Sequence, residues 1–263
     1  MLSEREIKVL LIDWLYEKGL VEDAVIISEM VVANWSRRAD IAVANGRLYG
    51  FEIKSHFDTL KRLPGQIESF QEHFDKVVVV AASKFISSIE SQYSEDIGIL
   101  EVFVQSGRPR LRQVRAGRIR EVKSVARLTS LITKVELERF LKVTGITYPM
   151  GAARAELAAQ CGARHLQKLR AYVLSCIKNR YAESFEAFTK ERNENSTESG
   201  LDLLSRSVVD RVSLERQIEK FGADYKCAVK PRAAKPLNFA ALGLDAEASG
   251  VEMPQSVIVR RRR

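Results

Sequence analysis

The sequence predicts an α/β protein in which a mixed central sheet is flanked by helices and followed by an α-helical region. Three observations predict this class: an amphipathic helix opens the chain, short apolar runs broken by turn signals follow it, and an unbroken apolar run comes after a second helix. The chain has 263 residues, 46% of them hydrophobic, which is enough for a substantial core. The composition excludes a disulfide-stapled mini-protein and a wholly disordered chain.

The first helix is predicted over 3–18, because apolar residues recur every three or four positions from Ile7 to Leu15. Ser3 and Glu6 have the spacing of a capping box. Asn45-Gly46 predicts a hairpin turn between two strands. The strand-like runs in this part of the chain are 24–27, 39–43 and 48–53.

A second helix is predicted over 59–74, with its regular part starting near Pro64. Val77–Val80 is expected to be a strand covered on both faces, because four consecutive apolar residues leave no polar face. A helix over 84–93 and a strand over 99–104 come next. The basic segment 108–122 alternates like a hairpin around Ala116-Gly117.

Helical patterns dominate after residue 127, and the polar stretch 190–200 is predicted to be a linker. The helices are predicted over 128–143, 153–160, 164–190 and 201–221. We therefore expect a core with a basic hairpin over 1–125, an α-helical region over 126–222 and an extended or disordered basic tail over 223–263.

The net charge of +8 is concentrated in two places. Segment 105–127 carries eight bases against one acid, and the last four residues are all arginine, so the remaining chain sums to 8 − 7 − 4 = −3. Such patches suit a polyanionic partner such as nucleic acid, although a solvated strand face and a solubilising tail explain them equally well. The candidate phosphate contacts are Arg108, Arg110, Arg112, Arg115, Arg118 and Arg120.

Nothing in the sequence indicates a membrane or secreted protein. No apolar run approaches the roughly 20 residues that span a bilayer, and the N-terminus lacks the pattern of a signal peptide. The three cysteines are far apart and odd in number, which favours reduced thiols. We therefore expect a cytoplasmic protein without a membrane partner.

Residues 37–55 bring together groups that suit phosphate chemistry. Glu52 and Lys54 point to one face of their strand while Ile53 turns into the core, and Asp40 lies across the hairpin. Carboxylate oxygens suit Mg²⁺ or Mn²⁺, the backbone carbonyl of Ile53 adds a further oxygen, and lysine can orient a metal-bound water. Glu29 either completes the metal shell or begins a loop.

This arrangement resembles the PD-(D/E)XK nuclease superfamily, whose fold is restriction-endonuclease-like. Asp40 followed by Glu52-x-Lys54 matches its motif, and Gln66 with Phe70 is similar to the Gln-x-x-x-Tyr element of its RecB-like members. The resemblance covers about residues 3–104. No proline precedes Asp40, and Phe70 lacks the tyrosine hydroxyl.

The resemblance implies a metal-dependent nuclease that acts on DNA. Whether the protein forms a homodimer stays open. Asp40 and Glu52 would hold the metal, Lys54 would assist the attacking water and Gln66 would position water or substrate. The alternative is a non-catalytic nucleic-acid-binding protein with the same basic patches. Each site residue also has a structural explanation, since Asp40 and Glu52 can be solvated carboxylates paired with Lys54 across strands.

Overall fold

The computed structural model describes residues 1–32 and 37–205, together with strand pairing at 235–236 and 256–257. The chain forms two compact units, Met1–Val212 and Ser213–Arg263. In the second unit, β7 (Lys235–Pro236) pairs antiparallel with β8 (Ser256–Val257). The rest of the predicted tail, its terminal arginines and the predicted helical turns beyond residue 205 lie outside the described residues. The predicted boundaries at 125 and 222 stay predictions.

The first unit contains a six-stranded mixed sheet, which confirms the predicted α/β class. Its strand order follows the chain. Neighbours are antiparallel from β1 to β3 and again between β5 and β6, whereas β3, β4 and β5 run parallel. The parallel pairs are joined through helices, as parallel connections require. The strands are β1 (Val25–Val32), β2 (Arg37–Ala44), β3 (Leu48–Lys54), β4 (Lys76–Ala82), β5 (Ile97–Gln105) and β6 (Arg108–Arg115).

Helices cover both faces of the sheet. One apolar cluster lies between the sheet and α1, and a larger one joins the opposite face to α2 and the helices after residue 125. Val77 to Val80 are buried on both faces, as their unbroken apolar run predicts. The helices are α1 (Glu4–Glu17), α2 (Leu63–His73), α3 (Ile86–Gln92), α4 (Val125–Ser130), α5 (Lys134–Val143), α6 (Arg154–Gln160), α7 (Leu166–Glu194) and α8 (Thr197–Gly200).

Local sequence signals fix several element boundaries. Ser3 and Glu6 form the predicted capping box at the start of α1. Gly46 has a φ of 92°, which the turn between β2 and β3 requires and which glycine adopts without strain. Proline occupies the first turn of α2, where its missing N–H costs nothing.

The predicted hairpin around Ala116-Gly117 is wrong. β6 pairs with β5 through a turn at Ser106 and Gly107, whose φ values are 50° and 75°. Gly117 instead leaves the sheet and packs against the backbone of Gly98, where an added Cβ would lie 2.4 Å from the Gly98 nitrogen. The alternation of the basic segment therefore belongs to one edge strand and not to two.

Two predictions in the helical region also need correction. The predicted helix over 128–143 is two helices, α4 and α5, because Thr133 with Glu136 forms a capping box that starts α5. The polar stretch 190–200 is not a linker, since α7 continues to Glu194 and α8 follows. Side-chain bonds hold this stretch to α1: Thr197 Oγ1 donates to Asp13 Oδ1 at 2.5 Å.

The Asp75 carboxylate joins three parts of the first unit. It accepts hydrogen bonds from the N–H groups of Leu48 at 2.9 Å and Val122 at 3.0 Å, and it pairs with Arg170 of α7 at 3.0 Å. Arg170 also donates to the carbonyl of Val122 at 2.8 Å. Both side chains of the pair are more than nine-tenths buried. This buried charge thus connects the sheet, the segment after β6 and the longest helix.

Among the described residues, no helix combines the length and the apolar character that crossing a bilayer requires. The predicted cytoplasmic compartment stays a prediction.

We expect Asp75→Ala to lower the free energy of unfolding by about 3–5 kcal/mol, because Arg170 and two backbone N–H groups would lose their buried partner. Chemical denaturation measures this loss. Glu95→Ala is the matched control: it removes an ion pair with Arg118 whose side chains are 72% and 63% exposed, and it should cost less than about 1 kcal/mol. Equal losses in the two variants would show that the buried pair has no special role.

Candidate functional site

The predicted site residues meet at one end of β2 and β3. The register places Ile41 opposite Phe51, so Asp40 lies beside the next residue of β3, Glu52. Asp40 Oδ2 accepts a hydrogen bond from the N–H of Ile53 at 2.6 Å. Asp40 is thereby fixed by the backbone of β3. The predicted ligand role of the Ile53 carbonyl stays a prediction.

Glu52, Lys54 and Gln66 form a closed triangle of hydrogen bonds. Lys54 Nζ donates to Glu52 Oε1 at 2.6 Å and to Gln66 Oε1 at 3.0 Å, and Gln66 Nε2 donates to Glu52 Oε1 at 2.6 Å. The side chains of Glu52 and Lys54 are only 2% and 4% exposed. Glu52 Oε2 is buried and has no hydrogen-bond partner in the described part of the chain. One carboxylate oxygen is therefore left to bind something else.

Gln66 lies on α2, which begins at Leu63 and covers the face of β3 that carries Glu52 and Lys54. Phe70, one helical turn later, belongs to the core: it is fully buried and packs edge-to-face against Phe74 at a centroid distance of 5.4 Å. The two residues of the Gln-x-x-x-aromatic pattern thus have separate roles, one at the site and one in the core.

A second acidic group adjoins Asp40. Carboxylate oxygens of Glu4, Glu29 and Asp40 lie within 4.8 Å of one another. Glu29 stands between the paired residues Ser28 and Met30 of β1 and has a φ of 61°, a left-handed conformation that is costly for a residue with a side chain. Glu29 lies within β1 and does not begin a loop, and its role as a metal ligand stays a prediction.

Three cations neutralise part of this negative charge. Lys8 contacts Glu29 and lies 2.8 Å from Glu4, Arg38 pairs with Glu29, and Lys54 pairs with Glu52. The cluster has four carboxyl groups, Glu4, Glu29, Asp40 and Glu52. If all four were ionised, one negative charge would lack a counter-charge among these groups.

The pKa values of two of these carboxyl groups are raised, mainly by burial. Burial, together with the charge of Glu52, raises the pKa of Asp40 to about 8, although the Ile53 N–H acts in the opposite direction. Burial also raises the pKa of Glu52 against the effect of Lys54. Burial lowers the pKa of Lys8, but its bonds to Glu29 and Glu4 outweigh this and raise it overall. Asp40 thus keeps its proton to a higher pH than an ordinary aspartate does.

These residues line an open cleft of about 1530 Å³. One wall is the end of β1, β2 and β3 with the start of α2, and the other consists of the α4–α5 loop together with Arg154, Arg180 and Tyr181. The cleft is larger than the usual small-molecule pocket of roughly 300–1,000 Å³. Its basic lining residues are Arg37, Arg38, Lys54, Lys61, Arg62, Lys134, Arg154 and Arg180.

None of the six predicted arginine contacts lines this cleft. They lie on β6, at the sheet edge opposite β1, and on the segment after it. Four of them are engaged within the chain: Arg112 with Glu101, Arg115 with the Ile97 carbonyl, Arg118 with Glu95 and Arg120 with Asp96. Their role in binding nucleic acid stays a prediction.

The sequence analysis missed several residues of the cleft. Glu4, one turn before Lys8 on α1, is the acid that this helix contributes, whereas Glu6 caps the helix. The basic residues of the far wall were missed because they come from separate helices, and no local pattern connects them to residue 40. On the near wall, the adjacent basic residues Lys61 and Arg62 before α2 were the signal that could have been read from the sequence.

Comparisons with known proteins point to one family. A family model described as bacteriophage P4 protein cII matches residues 1–205. A curated relative, "Protein cII" of Enterobacteria phage P4, is 41% identical over 211 residues, which cover 80% of each chain. A solved structure, the SPO1766 protein of unknown function from Silicibacter pomeroyi, covers 53% of this chain and 87% of its own at 16% identity, with a TM-score of 0.33.

The matches to the P4 protein cII overturn the assignment to the PD-(D/E)XK superfamily. The same matches show that the nuclease and hydrolase function implied by the resemblance is wrong. The motif residues do come together in space, but side chains in a shared arrangement do not by themselves give a chain the activity of another family.

We expect Asp40→Asn to stabilise the metal-free protein by an amount that grows with pH. Because the native pKa of about 8 lies above the ordinary value of 3.8, the native state retains a proton that the unfolded chain releases, and wild-type stability falls across that range. Asparagine stays neutral and can still accept from the Ile53 N–H.

Melting temperatures between pH 5 and pH 9 in the presence of a chelator measure this difference. The gap between variant and wild type should widen up to about pH 8 and then level off. Glu90→Gln removes an acid at an exposed position and controls for net charge. A gap that does not change with pH would contradict the assignment of the raised pKa to Asp40.

Proposed function

We propose, on the premise that this chain belongs to the bacteriophage P4 protein cII family, that it binds nucleic acid in the cleft. Asp40 would hold a divalent cation there, and the cation would supply positive charge for the phosphate groups of the nucleic acid. One observation carries the proposal. Two carboxyl groups with raised pKa values, the partly buried Asp40 and the buried Glu52, lie at a cleft whose other lining residues include eight cations.

The residues fit a hard cation. Asp40, Glu29 and Glu4 offer oxygens within 4.8 Å of one another, and Glu52, which follows the residue paired with Ile41, has a buried oxygen without a partner among the described residues. Mg²⁺ binds one or two carboxylates in proteins and fills its remaining positions with water and phosphate oxygens. A bound cation would supply the missing positive charge and attract phosphate, while Lys54 and Gln66 hold Glu52 in place. Mg²⁺ or Mn²⁺ is therefore the proposed cofactor.

The rim of the cleft suits a polyanion. Lys61 and Arg62 are exposed at the start of α2, and neither makes an ion pair with any residue that the structure describes. Both can contact phosphates without first breaking an internal bond. Phosphate contacts supply most of the affinity for nucleic acid and none of its sequence preference. DNA is the proposed partner.

We expect Mg²⁺ to stabilise the wild type, and more strongly at pH 8.5 than at pH 6, because the cation competes with the proton on Asp40. At 100 times its dissociation constant, the cation should add about 2.7 kcal/mol. Thermal melts with Mg²⁺ or EDTA measure the gain. Asp40→Asn should lose most of it, while Glu90→Gln should keep it. An equal gain in the wild type and Asp40→Asn would place the cation elsewhere.

We expect the double variant Lys61→Ala/Arg62→Ala to bind DNA more weakly, whatever its sequence, and to lower the salt slope by about 2, since two phosphate contacts are lost. Fluorescence anisotropy over a series of salt concentrations measures both. Arg108→Ala/Arg110→Ala removes the same charge from β6 and is the matched control. If the β6 variant loses binding and the cleft variant does not, the interface is β6 and the proposed cleft is wrong.

A further inference from the structure

An exposed aromatic side chain stands beside the cleft. Phe57 is 70% exposed and lies in the loop after β3, between Lys54 and Asp58, both of which line the cleft. A single exposed apolar residue is common on protein surfaces and needs no explanation by itself. The position of Phe57 between the buried site residues and the basic rim of the cleft does need an explanation.

The loop that carries Phe57 is well fixed. Asp58 Oδ2 accepts from the Ser55 N–H at 2.8 Å and from the Ser55 hydroxyl at 2.6 Å, and the Phe57 N–H donates to Ser55 Oγ at 3.3 Å. Lys84 Nζ donates to the carbonyl of His56 at 2.5 Å. The ring of Phe57 is therefore held out by a bonded turn, and it makes an edge-to-face contact with His56 at a centroid distance of 6.0 Å.

The cleft also has an aromatic residue on its far wall. Tyr181 of α7 is half-buried, packs partly against the core and lines the cleft next to Arg180. Cationic residues on both walls surround the acidic floor. Aromatic faces in a basic groove are the arrangement by which proteins bind unpaired bases, because each base stacks on a ring while its phosphate follows the charges.

We infer that the cleft takes single-stranded nucleic acid and that Phe57 stacks on a base at its edge. This inference rests on the proposed function and specifies the form of nucleic acid. In a duplex the base faces are covered by their neighbours, so a ring such as Phe57 gains a partner only where a base is unpaired. A duplex contacts the same rim through its phosphates alone.

The test compares Phe57→Ala with Phe57→Trp on a labelled oligodeoxythymidine and on a duplex of equal length. Phe57→Ala should weaken single-strand binding by about 5- to 150-fold and leave duplex binding unchanged. Phe57→Trp should retain the affinity, since indole also stacks. Val143→Ala removes another exposed apolar side chain, 77% exposed at the end of α5, and should have no effect.

A fluorescent base analogue in the oligonucleotide provides a second readout. Its emission should be quenched on binding the wild type and Phe57→Trp, and less so on binding Phe57→Ala. If Phe57→Ala binds the single strand as the wild type does while Lys61→Ala/Arg62→Ala does not, the stacking inference is wrong and the proposed function stands. If the binding of neither the single strand nor the duplex depends on Lys61 and Arg62, the proposed function is wrong as well.

Discussion

The buried pair of Asp75 and Arg170 is the constraint on which the cleft depends. Asp75 is tied through Leu48 to the start of β3, the strand that carries Glu52 and Lys54 at its other end. Arg170 lies near the start of α7, and Arg180 follows ten residues later, about 15 Å along the helix axis. The same charge pair therefore connects β3, which carries residues of one wall, to α7, which carries residues of the other.

Electrostatics then gives the floor of the cleft its chemistry. Four carboxyl groups face three cations, and the burial of Asp40 and Glu52 makes the remaining negative charge costly. The left-handed backbone at Glu29 adds a conformational cost at the same place. Proteins retain strained backbone and buried charged groups where the binding of a ligand offsets their energetic cost. The site is therefore a stronger indication of function than the exposed arginines of β6. There, acidic partners within the chain already balance three of the six arginine charges.

Short-range patterns predicted much of the fold and of the site. The capping box at Ser3, the Asn45-Gly46 turn and the alternation of Glu52 and Lys54 depend on residues close in sequence, and each was found. The predicted hairpin at Ala116-Gly117 was wrong because Gly117 is required by its close contact with the backbone of Gly98, a contact that no local pattern reveals. Glu4 and Arg180 could not be predicted, since helices distant in sequence bring them to the cleft. Function was the least predictable, because the motif matched one superfamily while the chain as a whole belongs to another family.

The order of the strands also bears on how the chain assembles. Each strand pairs with the one before it, so the sheet can grow strand by strand as the polypeptide leaves the ribosome. The layer beneath α1 is different, because Phe188, Leu201 and Leu204 complete it from the far end of the unit. A nascent chain that ends near residue 180 thus presents an unfinished apolar layer beside a complete sheet. The contacts that join the two ends of the unit cannot form before almost all of the unit has been synthesised.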